Sequence, residues 1–353
     1  MTVDASVTKR LREYYGKTIK HMGDLKENAC RCTDDGFSPS VKNALMKLHP
    51  DILNRFYGCG SPLPPLLEGC SILDLGCGTG RDAYVASCLA GNSGRVVGLD
   101  MTEEQLAVAR LYIKEHTERF GYSAPNVEFR QGYIEDLGGV GIEDDSMDIV
   151  ISNCVINLSG DKKKLFSEIF RVLKPGGELI FSDVFAGRRV PSELYDDPVL
   201  HGECLAGAMY EEDFRRILLE LNIRDYRLLN RRPVELQSEP VKRKIGMVDF
   251  YSVSVRVFKL ASLEDICEDY GQAAIYKGTI DDYPHYFDLD DHHRFITGKP
   301  MLVCGNTASM LEQTRYSAHF NIIGDRSVHY GPFTCGPAAQ KADNESGAGG
   351  ACC

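Results

Sequence analysis

The stretch LDLGCGTG (residues 73–80) decides the fold that the sequence predicts. It begins inside an apolar, strand-like run and ends where the helical pattern RDAYVASCLA (81–90) begins. Gly76, Gly78 and Gly80 occupy alternate positions between these two segments. Glycine lets a ligand lie against bare backbone and against the N–H groups that open a helix. The stretch therefore predicts a strand–turn–helix corner that binds a nucleotide-like cofactor.

Apolar runs and helical patterns alternate from residue 71 onwards, which predicts a mostly parallel α/β sheet. Its five strands are predicted at residues 71–76, 94–100, 126–134, 147–153 and 177–185. Two further strands, 225–230 and 249–260, are expected to pair at the sheet edge. Helices are predicted over 106–120, within 161–177, over 198–210 and over 211–222. A capping box of Thr102 and Gln105 is expected to open the helix that runs to residue 120.

The glycine spacing and one carboxylate favour a methyl donor over a dinucleotide. Asp100 ends the second predicted strand, where it would accept hydrogen bonds from ribose hydroxyl groups. The glycine spacing differs from the GxGxxG pattern, which argues against a dehydrogenase. The pattern D-x-G-x-G-x-G, with Asp74 ahead of Gly76, resembles motif I of class I S-adenosylmethionine-dependent methyltransferases.

That resemblance implies a fold, a cofactor and a set of residues that bind it. The fold is an α/β class I (Rossmann-like) methyltransferase sheet with helices on both faces; the change of pattern beyond residue 260 adds a smaller C-terminal domain. The cofactor is S-adenosylmethionine. GLDMT (98–102) resembles the ribose-binding strand end, and GYIEDL (132–137) resembles the adenine-side loop. The implied cofactor-binding residues are Asp74, Gly76, Gly78, Gly80, Asp100, Met101, Ile134, Glu135 and Asn153.

Cysteine is abundant, with thirteen residues spread from Cys30 to Cys353. The number is odd and no pair has CxxC spacing, which argues against a secreted disulfide scaffold, a zinc ribbon and a thioredoxin-type motif. Most of these thiols are expected to be small buried hydrophobic side chains. This expectation covers Cys70, Cys77, Cys88 and Cys267.

Cys154 lies in SNCVINL (152–158), directly after the fourth predicted strand. Ligands in such sheets bind beyond the carboxyl ends of the strands, so Cys154 is expected near the methyl group of the cofactor. A thiolate is suited to holding a soft, electron-rich centre. Cys204 is a second candidate, although it would share a helical face with Leu200 and Ala208 and so also fits a buried core cysteine.

Four cysteine-bearing segments recur in the order found in eukaryotic-type arsenite S-adenosylmethionine methyltransferases, which the chain resembles from Tyr14 to about Leu260. The segments are YYGKTIKHMGDLKENAC (14–30), RFYGCGSPLP (55–64), SNCVINL (152–158) and HGECLAGAMY (201–210). The resemblance implies four catalytic thiols, Cys30, Cys59, Cys154 and Cys204, with Cys32 as an alternative to Cys30. It also implies that trivalent arsenic is bound by Cys59, Cys154 and Cys204.

The same resemblance implies the substrates and the reductant. Substrates would be arsenite or its glutathione conjugate, and methylarsenite, while glutathione or thioredoxin would return electrons between rounds. Two other functions stay open on the residues alone. A methyltransferase for a small organic molecule would leave Cys154 and Cys204 dispensable, and a thiol-rich metalloid buffer would need no methyl donor.

Net charge and hydropathy limit the classes of partner that the chain can bind. The net charge of −11 argues against nucleic acid and anionic membrane surfaces. No apolar stretch approaches the ~18 residues that a membrane span needs. The cytoplasm is taken as the default location, and the chain is expected to be a monomer. DLDDHHRF (288–295) and the lysines at 162–164 are interpreted as solvated surface segments.

The predicted domain organisation follows the change of pattern along the chain. Residues 1–260 form the methyltransferase domain, with the cofactor-binding core at 71–186 and an arsenic-binding region at 187–240. Residues 261–336 form a small C-terminal domain of unknown role. Residues 337–353 are expected to be a disordered tail that ends in Cys352 and Cys353.

Overall fold

The computed structural model describes residues 37–335 except positions 57, 59, 61, 196, 198, 199, 202 and 203. Its α-helices are Pro39–Leu45 (α1), Pro50–Leu53 (α2), Arg81–Ala90 (α3), Glu103–Leu111 (α4), Ile113–Phe120 (α5), Lys162–Val172 (α6), Glu211–Glu220 (α7), Glu239–Ile245 (α8) and Gly305–Glu312 (α9). Its strands are Ser71–Leu75 (β1), Arg95–Asp100 (β2), Val127–Gln131 (β3), Met147–Asn153 (β4), Leu173–Ala186 (β5), Met209–Tyr210 (β6), Arg227–Pro233 (β7), Phe250–Phe258 (β8), Glu268–Asp269 (β9), Gln272–Tyr276 (β10), Tyr286–Asp288 (β11), Arg294–Ile296 (β12), Pro300–Val303 (β13), Phe320–Ile323 (β14) and Gly331–Pro332 (β15).

The main sheet has the order β3-β2-β1-β4-β5-β8-β7, and the short strand β6 pairs with β5. Strands β1 to β5 pair in parallel, whereas β8 lies antiparallel to both β5 and β7. The chain reverses direction across the sheet between β1 and β4. In sheets of this kind that reversal leaves a crevice beyond the carboxyl ends of the two strands, where ligands bind. The predicted parallel sheet and its antiparallel edge are confirmed.

Side chains that alternate along the strands enter cores on opposite faces of the sheet. On β1, Leu73 and Leu75 pack in a cluster with residues of α6 and α7. Ile72 points the other way and packs in a cluster with residues of α3 and α4. This period of two is expected for a strand that is covered on both sides. Helices therefore lie on both faces of the sheet, as the resemblance implied.

The predicted helix over 106–120 is interrupted, and the predicted capping box is wrong. Tyr112 departs from helical geometry between α4 and α5, and its ring stacks on His49 at 4.0 Å. This contact comes from a segment far away in the sequence, so periodicity could not predict it. At the start of α4, the Thr102 side chain makes no capping bond, because its hydroxyl and N–H groups both bind Asp100.

The predicted helix over 198–210 is wrong for its later part. Turns follow the helical residues Leu200 and His201, and Met209 and Tyr210 form β6 beside β5. Cys204 has φ 61°, a left-handed conformation that no α-helix contains. Cys204 therefore does not share a helical face with Leu200 and Ala208.

The C-terminal region builds a core of its own around a three-stranded antiparallel sheet, β13-β10-β14. Tyr276, Phe287, Phe295 and Tyr316 are among its fully buried side chains. The cluster also includes Phe258 from the end of β8, so it continues into the edge of the main sheet. The domain boundary at residues 260 and 261 stays a prediction.

Glu178 joins the C-terminal region to the main sheet through buried charges. It lies on β5 with a fully buried side chain, and it pairs with Arg256 on β8 at 3.3 Å. Its other oxygen accepts a hydrogen bond from Arg315, which follows α9. The carboxylate thereby compensates two guanidinium groups that have little access to water.

We expect Glu178→Gln to lower the free energy of unfolding by about 3–5 kcal/mol, since it leaves two buried cations without their counter-charge. Urea unfolding followed by circular dichroism measures the change. The matched control is Glu128→Gln, which breaks solvent-accessible pairs with Arg95 and Arg130 and should cost less than about 1 kcal/mol. Equal effects of the two substitutions would show that the Glu178 pair does not anchor the C-terminal region.

Candidate active site

The glycine loop between β1 and α3 forms an open corner at the crevice. Gly76, Gly78 and Gly80 have φ values of 68°, 54° and 90°. A Cβ atom at Gly76 would lie 2.3 Å from Val155, so only glycine fits there. A Cβ atom at Gly78 would meet no described atom within 4 Å. The loop therefore exposes bare backbone to a space that a ligand can enter.

Asp100 ends β2 and holds the glycine loop in place. Its Oδ2 atom accepts a hydrogen bond from the Gly78 N–H at 2.9 Å, and its Oδ1 atom accepts one from the Thr102 N–H at 2.8 Å. Burial raises the pKa of this carboxyl. The Thr102 hydroxyl binds the same carboxyl, which lies at the carboxyl end of β2, on the edge of the sheet where ligands bind.

Three carboxyl groups converge beneath the loop: Asp74 on β1, Asp82 on α3 and Asp100. Asp74 is buried, and its Oδ2 atom has no hydrogen-bond partner among the described residues. Burial and the charges of Asp82 and Asp100 raise the pKa of Asp74 well above its ordinary value. Asp82 itself pairs with Arg81 at 2.8 Å. Excess negative charge in a low-dielectric site favours a cationic ligand.

Asp82 was not predicted as a site residue. The signal available was a carboxylate in the first turn of the helix that follows the glycine loop. Asn153 at the end of β4 connects Asp82 to the segment before the sheet, because its amide donates to Asp82 Oδ2 at 3.1 Å and to the Gly60 carbonyl at 2.9 Å. Asn153 is among the cofactor-binding residues that the resemblance implied.

Cys154 follows β4 at the mouth of the crevice. It is buried, its backbone has φ 56°, and its N–H donates to the Ser182 carbonyl at 2.8 Å. In this structure Cys154 is disulfide-bonded. A residue other than glycine rarely adopts positive φ, and such strain concentrates at functional sites.

Cys204 reaches the same point from a distant part of the chain. Its thiol donates to the Cys154 carbonyl at 3.3 Å, and it is 1% exposed. With φ 61°, its backbone also lies in the left-handed region. The two predicted thiols are thus brought together, although the local conformation at Cys204 differs from the predicted one.

Asn157 holds these two segments against each other. Its side-chain amide donates to the Val184 carbonyl at 2.6 Å and to the Cys204 carbonyl at 3.2 Å. Its N–H donates to Asp183 Oδ2 at 3.0 Å. Asn157 lies within SNCVINL but was not identified from the sequence. A polar residue between Ile156 and Leu158 was the available signal.

Lys162 completes the polar support. Its Nζ atom donates to the Asn157 carbonyl at 3.0 Å, so the interpretation of residues 162–164 as a solvated face is wrong for Lys162. Burial lowers the pKa of Lys162 to about 8, against the opposing effects of Asp183 and Glu135. Burial raises the pKa of Asp183 to about 7. These charges lie behind the thiol site and compensate one another.

The thiols themselves sit in apolar surroundings. Cys154 and Cys204 belong to one buried cluster with aliphatic and aromatic residues of β5, β8 and α8. The cluster also contains Val184, Ala186, Leu200, Leu205, Ala206, Ala208, Val241, Ile245, Val248 and Phe250. A ligand bound to the thiols would therefore lie in a medium of low polarity.

The remaining predicted site residues divide into two groups. Met101 follows Asp100, and its carbonyl accepts from Gln131 at 3.2 Å. Ile134 packs on the main core, and Glu135 accepts a hydrogen bond from Ser159. All three lie beyond the carboxyl ends of β2 and β3, and their cofactor contacts stay predictions. Cys30, its alternative Cys32, and Cys59 lie outside the described residues, as do the tail residues 337–353.

Two expectations about other polar residues are wrong. Cys77 is buried as expected, but Cys70, Cys88 and Cys267 are half-buried. In DLDDHHRF, Asp290 and His293 are buried rather than solvated, because Arg227 on β7 pairs with Asp290 at 3.2 Å. A charge partner more than sixty residues away was invisible in the local pattern.

Comparison with known proteins gives consistent matches over most of the chain. Family models match residues 66–222, as a methyltransferase domain, and residues 270–353, as the arsenite methyltransferase C-terminal domain. An arsenite methyltransferase from Aquipseudomonas alcaligenes is 50% identical over 92% of this chain and 94% of its own. The Homo sapiens arsenite methyltransferase is 39% identical over 92% and 86%, respectively. The chain belongs to the arsenite methyltransferase family.

The fold comparison agrees with this assignment. The crystal structure of an arsenic(III) S-adenosylmethionine methyltransferase from Chlamydomonas reinhardtii matches with a TM-score of 0.81 and 49% identity, covering 85% of this chain and 100% of that one. The resemblance, the fold class and the cofactor inferred from the sequence are thereby confirmed. Among the described residues, no helix is long and apolar enough to cross a membrane.

The residues present fit S-adenosylmethionine, the methyl donor of the arsenite methyltransferase family. The cofactor carries positive charge on its ammonium and sulfonium groups, and the crevice supplies the unpaired Asp74 oxygen within a cluster of carboxyls. The open space at Gly78 accommodates a ligand that approaches the backbone. Both the charge and the open space therefore suit this cofactor.

We expect Gly78→Ala to weaken S-adenosylmethionine binding by at least about tenfold, since the methyl group projects into the open space beside the loop. The control is Gly121→Ala, which has φ 79° and likewise no described atom within 4 Å of the new Cβ. Both variants lose about 1–2 kcal/mol of stability from left-handed strain. Only Gly78→Ala should change cofactor affinity in calorimetry, and equal affinities would remove Gly78 from the site.

We expect Asp100→Ala to weaken S-adenosylmethionine binding by about 1.5–3 kcal/mol, because charge-assisted hydrogen bonds to the ribose and to the Gly78 N–H are lost together. Arsenite binding should stay unchanged, since it depends on thiols. Calorimetric titration with each ligand separates the two effects. A variant that binds the cofactor as the unmodified protein does would contradict the assigned role.

Proposed function

We propose that this protein transfers methyl groups from S-adenosylmethionine to trivalent arsenic held by cysteine thiolates. The carrying observation is the contact of the Cys204 thiol with the Cys154 carbonyl at 3.3 Å, beyond the carboxyl end of β4. Two cysteines from segments fifty residues apart meet here, and Val155, next to Cys154, lies against Gly76 of the glycine loop. Trivalent arsenic is a soft acceptor of thiolate ligands, so this donor pair suits it.

The substrate site consists of Cys59, Cys154 and Cys204. Gly58 and Gly60, which flank Cys59 in the sequence, both lie against the Asn153 side chain, and Asn153 directly precedes Cys154. The placement of these two glycines supports a role for their segment in the substrate site. Binding replaces three As–O bonds of arsenite by three As–S bonds, and the thiol protons leave in water. Pyramidal coordination keeps the arsenic lone pair available.

The apolar cluster around the thiols favours transfer of the methyl group. S-adenosylmethionine supplies an electrophilic methyl group on a positively charged sulfur. Charge disappears as the arsenic lone pair takes that methyl group, so a poorly solvated site favours the transition state. The thiolates fix the direction of the lone pair, which is a proximity effect. No side chain has to remove a proton from the acceptor.

The residues around the glycine loop orient the cofactor. Asp100 accepts the ribose hydroxyl groups, and the unpaired Asp74 oxygen accepts from the ammonium group. Met101, Ile134 and Glu135 border the adenine, while Asn153 connects the cofactor side of the site to the thiol side. Asn157, Asp183 and Lys162 act as positioning residues for the two thiol segments.

Electrons must return to arsenic between rounds, because methyl transfer formally oxidises As(III) to As(V). Oxidation of two thiols to a disulfide releases two electrons and two protons, which restores As(III). Cys154 is disulfide-bonded in this structure, which supports thiol–disulfide exchange at the site. Cys30, or Cys32 in its place, takes part with Cys59. Glutathione or thioredoxin then reduces the disulfide.

The products are methyl- and dimethylarsenicals, and the reaction detoxifies arsenic in the cytoplasm. The enzyme acts as a monomer on arsenite, its glutathione conjugate or methylarsenite. The direct test incubates the pure protein with labelled S-adenosylmethionine, arsenite and glutathione, and then separates the arsenic species. Label in arsenic species supports the proposal. Arsenic that is bound but never methylated would instead indicate a metalloid buffer.

Substitution of the cysteines should separate two roles. Cys154→Ser and Cys204→Ser should each abolish methylation of both arsenite and methylarsenite, because a serine hydroxyl is a hard, poorly ionised ligand. Cys30→Ser and Cys59→Ser should abolish methylation of arsenite only, since methylarsenite already carries one carbon substituent and needs two thiolates. Rates are measured with each arsenical under excess small-molecule thiol.

The matched control is Cys88→Ser, which changes a half-buried thiol on α3 outside the site and should leave both rates unchanged. Equal loss of both activities in all four variants would refute the division of roles. A Cys154→Ser variant that still methylates either arsenical would refute Cys154 as an arsenic ligand.

A further inference from the structure

A second group of thiols lies in the C-terminal region. The sulfur atoms of Cys267, Cys304 and Cys335 all lie within 4.8 Å of one another, and all three thiols are free. Each comes from a different segment: Cys267 precedes β9, Cys304 lies between β13 and α9, and Cys335 follows β15. The triangle of sulfur atoms is therefore a product of tertiary structure and has no signature in the local sequence.

Backbone contacts fix the three segments. Strands β9 and β15 pair with each other, and the Phe333 N–H donates to the Cys267 carbonyl at 2.8 Å. The Cys335 N–H donates to the Phe333 carbonyl at 2.9 Å. Cys304 is the N-cap of α9, where its sulfur accepts from the Thr307 N–H at 3.4 Å. The donors are thus held close together before any ligand binds.

Fixed positive charge faces the triangle. The Arg227 guanidinium is buried and lies 3.9 Å from the Cys304 sulfur. Arg227 also pairs with Asp225 at 2.8 Å and with Asp290 at 3.2 Å. A neighbouring cation and a helix N-terminus both favour thiolate over thiol, and thiolate is the form that binds soft centres.

We propose that Cys267, Cys304 and Cys335 form a second binding site for trivalent arsenic, distinct from the methylating thiols. No His, Cys, Asp or Glu among the described residues adds a fourth ligand atom to this group. Structural zinc sites take four protein ligands, whereas a pyramidal arsenic centre takes three thiolates and keeps its lone pair. Cys304 is buried while Cys267 and Cys335 are half-buried, so arsenite can reach the site from solvent.

The charge balance also favours arsenic over a divalent ion. Arsenite exchanges three As–O bonds for three As–S bonds, and the three thiol protons leave with the oxygens as water. No electrons move, and neutral reactants give a neutral bound centre. A divalent ion held by three thiolates would instead add a net negative charge near the carboxylates of Asp225 and Asp290. Burial makes such an addition costly.

The second site is too far from Cys154 to share one arsenic atom with it. Register aligns Arg227 with Arg256, Arg256 with Ile180, and Ile180 with Ile151, three residues before Cys154. Three strand spacings across the sheet and three residues along it separate the Arg227 and Cys154 backbones by about 17 Å. Arsenic bound at the second site would join three C-terminal segments and stabilise that region by mass action.

Counting bound arsenic tests the inference in the full-length protein. The protein is reduced with a phosphine, mixed with excess arsenite, desalted, and measured by mass spectrometry of the element. We expect about two arsenic atoms per chain, about one in Cys304→Ser, and about one in the Cys154→Ser/Cys204→Ser double variant. X-ray absorption of that double variant should show three sulfur neighbours around arsenic.

Cys304→Ser is suited to this test because serine is a favoured N-cap, so α9 keeps its cap while the soft ligand is lost. Cys335→Ser provides an independent variant, and Cys70→Ser should retain both arsenic atoms. A double variant that binds no arsenic, or purifies with zinc that arsenite does not displace, overturns the second site and leaves the proposed methyl transfer intact. A double variant that no longer methylates arsenite but still binds about one arsenic atom supports the second site.

Discussion

The buried amide of Asn157 is the interaction on which the thiol site depends. Cys154 and Cys204 lie fifty residues apart, and neither conformation is one that a chain adopts readily on its own. By donating to the carbonyls of Val184 and Cys204, one side chain connects strand β5 to the turn that carries the second thiol. Lys162 in turn fixes the Asn157 carbonyl. The positions of the two soft sulfur ligands therefore depend on directional hydrogen bonds between the segments that carry them.

Much of the cofactor half could be predicted from sequence because its determinants are local. Strand periodicity, the glycine spacing and the carboxylate of Asp100 all lie within thirty residues of one another, and the register of a parallel sheet then positions them. The wrong predictions arise where contacts between distant segments dominate. Tyr112 interrupts a periodic helix by stacking on His49, and Asp290 is buried because Arg227 lies opposite it.

For the thiol site, the sequence predicted which cysteines take part but not their backbone conformation. The resemblance to arsenite methyltransferases identified Cys154 and Cys204, whereas the helical period placed Cys204 in the wrong secondary structure. Left-handed φ at a cysteine has no compositional signal, since glycine and asparagine are the residues that normally adopt it. The triangle that includes Cys304 was missed for a related reason, because its three members share no spacing and meet only through folding.

The left-handed backbone at Cys154 and Cys204 has a consequence for evolution and protein engineering. Glycine or asparagine at either position would relieve steric strain, so a selection for thermal resistance alone would reward loss of the thiol. At these two positions, a substitution that raises stability removes a thiol needed for turnover. At Cys88, an ordinary helical position, a substitution can change stability without changing turnover. Consensus-based stabilisation of this scaffold should therefore hold both positions fixed and look for its gains elsewhere.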